Sequence, residues 1–385
     1  MKSDIKPTNS IRLGLCCIFL EQPIKFRNTT VKAISSMPRA AGLAKLSMLC
    51  LANADALLES LGFCADNGIG CFRINSQILP VKTHAEQGYD VSDLPDDDEI
   101  VRRFRSCGNF ARDHQIRTCF HPDQFVVLNS PRPEVVERSI AELEYQAEVA
   151  EWVGADVINV HGGGAYGDKP AALARFAQNL GLLSHRVRRR LTVENDDVTY
   201  TPSDLLPLCR LEGIPLVYDV HHHRCNQDDL SVEEATEQAI GTWNRRPMFH
   251  ISSPIEGWKG PNPRRHHDFI DIQDFPHCWR GLPLTVEVEA KAKEVAVLKL
   301  MKQLAEKWFV YVLRTADGSL YTGITNDLER RIGQHNAGTA SRYTRSRLPV
   351  MLEYREELKT RGAALKRERA IKALSREAKE RLICS

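Results

Sequence analysis

The chain has 385 residues, of which 42% are hydrophobic and 26% are charged, and its formal net charge is +2. This composition provides ample apolar material for one large and one smaller domain, and no stretch is expected to reach the roughly 20 apolar residues of a membrane span. The eleven cysteines are odd in number and include no C-x-x-C pair, which argues against a disulfide framework and against a cysteine zinc site.

The first residues lack the charged, apolar and small-residue order of a secretory signal. We therefore expect a cytoplasmic protein that does not associate with membranes. In such a compartment the cysteines are expected to be reduced, and most of them should pack in the core.

From Ile11 to about Leu300, short apolar runs alternate with longer amphipathic stretches. This rhythm is typical of strand and helix units arranged around a parallel sheet. Eight such units predict an α/β fold, a (β/α)8 TIM barrel, over residues 1–305. The predicted strands begin at Ile11, Cys71, Ile116, Asp156, Arg190, Ile214, Met248 and Leu282.

Histidine and acidic residues stand at the carboxyl ends of six of these predicted strands. The loops of a TIM barrel converge at that end, so these side chains should meet at one mouth. Imidazole and carboxylate ligands together suit a cluster of Zn²⁺ or Mn²⁺ that could assist phosphodiester cleavage. The candidate ligands are His121, His161, Glu194, Asp219, His222, His250, His266 and Glu289.

The same residues lie in motifs that resemble the UV damage endonuclease family. The motifs are HPDQFVVLNSP, NVHGGGAYGDK, LTVENDD, VYDVHHHRCN, HISSP and EAKAKE, which begin at His121, Asn159, Leu191, Val217, His250 and Glu289. The resemblance covers nearly all of residues 11–300. It implies a metal-dependent endonuclease that cuts beside bulky lesions in duplex DNA, with the eight candidates as metal ligands and His84 as a further active-site histidine.

The resemblance also implies a wedge that tests base stacking. The family inserts a Gln-Tyr pair into the duplex, and this chain has Gln124 and Phe125 there. Three further departures from the family pattern are Leu15 and Phe19, in place of a Tyr and an Asn, and Met248, in place of a lysine. They leave the lesion preference open, as well as the number of bound ions, two or three.

The end of the chain has a different charge. Residues 308–385 contain 16 Lys and Arg against 9 Asp and Glu, which suits a polyanionic partner. Two short strands joined by an Asp317-Gly318 turn are predicted from Phe309, followed by a helix that begins near Asn326. We assign residues 306–385 to this second, small α+β domain.

This segment resembles the GIY-YIG nuclease domain. Its two triplets are Phe309-Val310-Tyr311 and Tyr321-Thr322-Gly323, and Arg331 and His335 follow one helical turn apart. The resemblance implies that Tyr321, aided by Tyr311 and His335, deprotonates a water, that Arg331 stabilises the charge on phosphorus, and that Glu368 holds Mg²⁺. Arg342, Arg345 and Arg347, with Tyr343 among them, are expected to line the DNA path.

The leading hypothesis is a monomeric DNA repair endonuclease that acts on damaged or branched double-stranded DNA through two phosphodiesterase sites. Two alternatives stay open from the sequence. In the first, the barrel is a metalloenzyme of the sugar isomerase or epimerase kind. In the second, the barrel is a DNA-binding scaffold with a decayed metal site, and only the GIY-YIG domain cuts DNA.

Overall fold

The computed structural model describes residues 11–305, 307–358 and 360–384. These residues form two compact units, one ending at Leu300 and the other beginning at Met301. Each unit contains its own sheet. The domain bounds of 1–305 and 306–385 stay a prediction.

Eight parallel strands close into a barrel in the first unit, each hydrogen-bonded to the strands before and after it. They coincide with the eight apolar runs, so the predicted TIM barrel is confirmed. Nearly every strand residue is buried, because one face lines the barrel interior and the other lies under helices. The strands are β1 (Arg12–Cys16), β2 (Cys71–Ile74), β3 (Arg117–Phe120), β4 (Val157–His161), β5 (Leu191–Glu194), β6 (Leu216–Asp219), β7 (Met248–Ile251) and β8 (Thr285–Val288).

Helices connect these strands. One of them runs from Pro133 to Val153: the proline in its first turn lacks a backbone N–H, which has no partner within the helix there, and Gly154, with a φ of 72°, ends the helix. The helices are α1 (Val31–Ser35), α2 (Arg39–Asp66), α3 (Asp97–Asp113), α4 (Pro133–Val153), α5 (Lys169–Leu180), α6 (His185–Arg188), α7 (Pro202–Glu212), α8 (Val220–Cys225), α9 (Val232–Ile240) and α10 (Lys293–Ala305).

Helix α2 is long and apolar. Its 28 residues include an 18-residue window of mean hydropathy 1.3, so by length and composition it could cross a membrane, and the prediction that no stretch approaches a span is wrong for it. The helix packs on α3 and β2, however, and Leu46, Leu57 and Leu61 are buried there. These contacts explain its apolar residues as those of a core helix in the barrel.

The second unit is a three-stranded antiparallel sheet in the order β10, β9, β11, with helices around it. The predicted hairpin is present: Gly318 has a φ of 77° in the turn between β9 and β10. The helix after it begins at Leu328, two residues beyond the predicted start, and Asp327 caps it. The elements are β9 (Trp308–Thr315), β10 (Leu320–Thr325), α11 (Leu328–Asn336), α12 (Arg342–Arg345), β11 (Val350–Leu358), α13 (Arg361–Ala373) and α14 (Arg376–Ile383).

Strand β9 separates two small cores. Val310 and Val312 point to one face and pack with Ile371 of α13. Tyr311 and Leu313 point to the other face, towards α11. Side chains alternate between the faces of a strand, so the first predicted triplet places its tyrosine on the face that carries the polar residues described below.

Candidate active sites

The barrel mouth gathers the histidines and carboxylates that the sequence predicts. Glu194 and Asp219 are the last residues of β5 and β6, and His161 is the last residue of β4. His121 directly follows β3, and Glu289 directly follows β8. These positions meet because parallel barrel strands all end at one rim.

Glu194 is the centre of this group and is fully buried. One of its oxygens, Oε2, lies 3.0 Å from His121 Nε2, and the other, Oε1, lies 3.1 Å from His250 Nδ1 and 3.3 Å from His222 Nδ1. Burial alone would raise the pKa of Glu194, but the neighbouring His250 and His161 hold it well below its usual range. Glu194 is therefore an ionised carboxylate shared by several imidazoles.

Asp219 has two roles in the local structure. Its Oδ1 accepts the backbone N–H of His222 at 2.8 Å and so caps helix α8, while Oδ2 makes no hydrogen bond within the described residues. His266 lies at the edge of the group, with Nδ1 3.9 Å from Glu289 Oε2 and 3.3 Å from Ser252 Oγ. The structure thus brings all eight predicted residues to one mouth, with His266 the most peripheral.

The residues present fit a divalent metal centre. Besides Cys71–Cys119–Glu287 deeper in the barrel, three groups of side chains at the mouth each offer ligand atoms within 4.8 Å of one another, two of them sharing His121 and two sharing Glu194. Burial lowers the pKa of His161, so its imidazole is neutral, as metal binding requires, and its Nδ1 makes no hydrogen bond within the described residues. The groups are His121–His161–Glu194, His121–His250–Glu289 and Glu194–Asp219–His222.

Sequence reasoning missed three polar residues of the barrel interior. Asn159 donates a hydrogen bond to Glu194 Oε2. Arg73 and Glu287 form a buried ion pair at 2.6 Å. Glu287 could have been found, because it stands two residues before Glu289 and a strand returns to the same face at every second residue.

Met248 and Leu15 are both fully buried, and Phe19 packs edge-on against Phe63 with ring centroids 5.2 Å apart. Met248 belongs to a core cluster with Cys71 and Cys119. These positions therefore contribute apolar packing where the family pattern has polar side chains.

His84, Gln124 and Phe125 line a cavity of about 810 Å³. His84 accepts the backbone N–H groups of Glu86 and Gln87 through Nδ1, each at 3.2 Å, and it belongs to none of the metal-binding groups. Phe125 is 78% exposed. Phe125 therefore lines this cavity with most of its ring exposed to solvent.

The second unit has its own polar cluster on the α11 face of β9. The hydroxyl of Tyr311 lies 3.0 Å from His335 Nε2 and accepts a hydrogen bond from Arg331 Nε at 3.3 Å. His335 Nδ1 lies 2.8 Å from Thr344 Oγ1. The Tyr321 ring lies 5.0 Å from that of His335, so all four predicted catalytic residues of this unit meet.

The hydrogen bonds of this cluster have a direction. Arg331 can only donate, so Tyr311 Oη accepts from it and donates its own proton to His335 Nε2. His335 then donates from Nδ1 to Thr344. Burial, and secondly the charge of Arg331, lower the pKa of His335 to about 4, so the ring is neutral at pH 7 and orients Tyr311 rather than acting as a strong base.

Gly323 leaves room for the side chain of Tyr311, which lies close to its backbone. It lies opposite Tyr311, and a Cβ atom at this position would lie 2.6 Å from Tyr311 Oη. We expect Gly323→Ala to displace the tyrosine, to cost about 1–3 kcal/mol of stability and to lower cleavage by this unit at least about tenfold. The melting temperature and the single-turnover rate measure the two effects.

Gly333 provides the matched control, because it lies in α11 and a Cβ there would meet no atom within 4 Å. Gly333→Ala should stabilise the helix by about 0.5–1 kcal/mol and leave cleavage unchanged. Equal rates for both variants would show that the close approach at Gly323 is unimportant.

The remaining predicted residues of this unit surround the cluster. Glu368 is mostly buried, accepts from Lys372 Nζ at 2.8 Å and helps to raise the pKa of Tyr311, after the larger effect of burial. Tyr343 stacks on Tyr321 with ring centroids 6.0 Å apart. Arg342 and Arg345 are exposed beside it in α12, and Arg345 Nε donates to Gly338 O. One carboxylate together with waters and substrate oxygens is a common way to bind Mg²⁺.

Comparisons with known proteins match both units. A family model described as UV-endonuclease UvdE matches residues 11–316, and one described as GIY-YIG catalytic domain matches residues 307–381. A UV DNA damage endonuclease of Bacillus velezensis is 32% identical over 302 residues, which is 75% of this chain and 91% of that protein. One of Bacillus mycoides is 33% identical over 272 residues, covering 68% and 83% of the two chains.

A solved structure is similar as well. The crystal structure of SacUVDE aligns with a TM-score of 0.68 and 29% sequence identity, and the alignment covers 77% of this chain and 98% of that one. The similarity therefore spans almost the whole of the solved protein.

Proposed function

This chain belongs to the UV-endonuclease UvdE family and is an endonuclease, and from that premise we propose that its barrel nicks duplex DNA beside UV photoproducts while its GIY-YIG domain makes a second cut. DNA is the substrate of such an enzyme. The observation that carries the proposal for the barrel is the convergence of five strand ends on the ionised, buried Glu194. We further propose that the protein works as a cytoplasmic monomer.

We assign the eight residues of the barrel mouth to a cluster of Mn²⁺ or Zn²⁺. Bound ions would supply an activated water and would neutralise charge on the phosphate oxygens. Asn159 and His121 hold Oε2 of Glu194 in place, while His250 and His222 approach Oε1, so this carboxylate keeps one orientation. Asp219, fixed by its cap on α8, presents Oδ2 to the same space.

In the second domain, the directed hydrogen bonds support the assignment of Tyr321 and Tyr311 to water activation. Tyr311 Oη accepts from Arg331, whose fixed positive charge would also stabilise the developing charge on phosphorus. Tyr321, partly exposed, faces solvent beside His335 and Tyr343. We assign Mg²⁺ to Glu368, and phosphate contacts to Arg342 and Arg345.

We assign the recognition of distorted duplexes to Gln124 and Phe125. The turn that carries them is closed by Val126 N donating to Asp123 O at 3.0 Å, and it is tied to α4 on its C-terminal side by Val127 N donating to Ser139 Oγ at 2.9 Å. A ring held in this way can enter a duplex without first losing much freedom. Unstacking costs less where a lesion has already disturbed the bases, so insertion favours damaged sites.

Cleavage of end-labelled duplexes tests the proposed function. The substrates are undamaged, or carry a UV photoproduct, an abasic site or a flap, and the enzyme is either treated with EDTA or resupplied with Mn²⁺ or Mg²⁺. We expect a nick beside the photoproduct that EDTA abolishes and Mn²⁺ restores. A photoproduct duplex that stays intact under all conditions would contradict the proposal.

Phe125→Ala should reduce selectivity more than it reduces turnover. Without the ring, the ratio of cleavage rates on photoproduct and undamaged duplexes should fall about tenfold, equivalent to roughly 1.4 kcal/mol of lost discrimination. Leu211→Ala is the control, because Leu211 is 80% exposed on helix α7 but lies outside the cavity. An unchanged ratio for Phe125→Ala would remove this residue from lesion recognition.

Family membership excludes the sugar epimerase alternative as the activity of the barrel. The decayed-scaffold alternative predicts that the barrel neither binds metal nor contributes a nick. The EDTA comparison decides this point when it is made with Glu368→Gln protein, because the second domain then makes no metal-dependent cut and a decayed barrel would leave the photoproduct duplex intact.

A further inference from the structure

Arg73 is a buried cation inside the barrel. It stands in β2, is 8% exposed and points at the base of the candidate metal centre. Its Nε and Nη2 donate to Glu287 Oε2 at 2.9 and 2.6 Å, and Nη2 also lies 2.7 Å from Glu289 Oε1. A buried charge is costly unless it is paired, and here two carboxylates compensate it.

Glu287 is held in place from below. Its other oxygen, Oε1, accepts a hydrogen bond from the thiol of Cys119 at 3.1 Å. Cys119 belongs to a buried apolar cluster with Cys71 and Met248, which lies beneath the ion pair. Both oxygens of Glu287 therefore have partners, and the guanidinium of Arg73 has little room to turn away from the mouth.

Arg73 contacts one of the three candidate metal-binding groups at the mouth, and its ion pair with Glu287 also occupies the deeper Cys71–Cys119–Glu287 group. Glu289 Oε1, which it contacts, also lies 3.4 Å from His250 Nδ1, and Arg73 Nη2 is 3.1 Å from His250 Nε2. Both residues belong to the His121–His250–Glu289 group. No residue of the other two groups at the mouth forms a hydrogen bond or ion pair with the guanidinium within the described residues.

A guanidinium beside this group disfavours a divalent cation there. Like charges repel strongly in a buried site of low dielectric constant, and the oxygen that an ion would need already accepts a charged hydrogen bond. Arg73 also supplies the positive charge that the carboxylates Glu287 and Glu289 require. The two functions of a third ion, charge compensation and orientation of ligands, are thus provided by a side chain.

We propose that Arg73 takes the place of a divalent ion at the His121–His250–Glu289 group, so that the barrel holds two ions, at the two groups that contain Glu194, and His250 and Glu289 line this two-ion cluster without surrounding a third ion. This inference rests on the metal-dependent nuclease proposed above. Arg73 is then a positioning residue: it touches neither substrate nor a reacting atom, but it fixes the orientation of His250 and Glu289.

The number of ions per chain tests this inference. Full-length proteins, all carrying Glu368→Gln so that the second domain contributes no ion, are equilibrated with Mn²⁺, freed of excess metal and analysed by plasma mass spectrometry. We compare Arg73 with Arg73→Met and Arg73→Lys. Arg117→Met is the control, because Arg117 is also buried and pairs with Asp156 at 2.8 Å but contacts no candidate ligand.

We expect two ions per chain with Arg73, with Arg73→Lys and with Arg117→Met, and three with Arg73→Met. The rise in melting temperature on adding Mn²⁺ should also be larger for Arg73→Met than for the others, because its unpaired carboxylates need the third ion. A count other than two with Arg73, or an unchanged count in Arg73→Met, overturns the inference.

Failure of this inference and failure of the proposed function give different results. If Arg73→Met does not fold, the count with Arg73 decides alone: two ions support the inference and any other number overturns it. If the count differs from two while EDTA-sensitive nicking persists, only the inference fails. No ions and no nicking would contradict the proposed function as well.

Discussion

Glu194→Gln should abolish nicking beside a photoproduct, with the single-turnover rate falling at least about 1,000-fold, or roughly 4 kcal/mol. The substitution keeps the volume of the side chain and removes its negative charge. Glu194 contacts three imidazoles and belongs to two of the candidate metal-binding groups, so the loss of this one carboxylate affects both. The bound metal should decrease together with the rate.

The two domains provide an internal reference for this variant. The product of the GIY-YIG domain should persist in Glu194→Gln, and the melting temperature should confirm that the variant is folded. Glu151→Gln is the matched control, because Glu151 is half exposed in α4 and pairs with Arg189 at 3.2 Å, and such a surface pair contributes little. Nicking at the normal rate by Glu194→Gln would reject the barrel as a metal-dependent nuclease.

Arg331→Ala should abolish the second product. Donors that stabilise developing charge typically contribute about 100-fold to 1,000-fold, or roughly 3–4 kcal/mol, and Arg331 additionally orients Tyr311 Oη. Arg331→Lys should recover little activity, because an ammonium lacks the planar fork of donors. The measurement is the cleavage rate in a Glu194→Gln background, where only the second domain cuts.

The adjacent residue is the control for this prediction. Arg330 is exposed and pairs with Asp327 at 3.4 Å on the first turn of α11. Arg330→Ala should change the rate less than about threefold, as expected for one exposed phosphate contact at most. Equal losses in both variants would indicate that the basic charge of α11 matters and that the specific position of Arg331 does not.

The sequence predicts the strands and the barrel mouth well for a physical reason. Strand ends in a parallel barrel meet at one rim, so a histidine or carboxylate that ends an apolar run is placed by topology alone. Glu194 and Asp219 follow this rule. The apolar pattern of α2 does not distinguish a core helix from a membrane-spanning one, because a helix that packs on α3 and β2 can be apolar enough to pass for either.

Contacts across the barrel interior could not be predicted. Arg73 in β2 meets Glu287 in β8, and 214 residues separate them in the chain. The alternation along β8 places Glu287 on the same face as Glu289, but no local pattern pairs it with Arg73.

The hairpin register has a consequence for how much variation the second domain can tolerate. Tyr311 faces Gly323, and Tyr321 faces Leu313, so both phenols point to the same side. If the pairing of β9 with β10 shifted by one residue, one of the two tyrosine rings would lie on the opposite face of the sheet. Insertions in the Asp317-Gly318 turn should therefore inactivate this domain even where folding survives, so natural variants are expected to conserve the length of this turn more strictly than its composition.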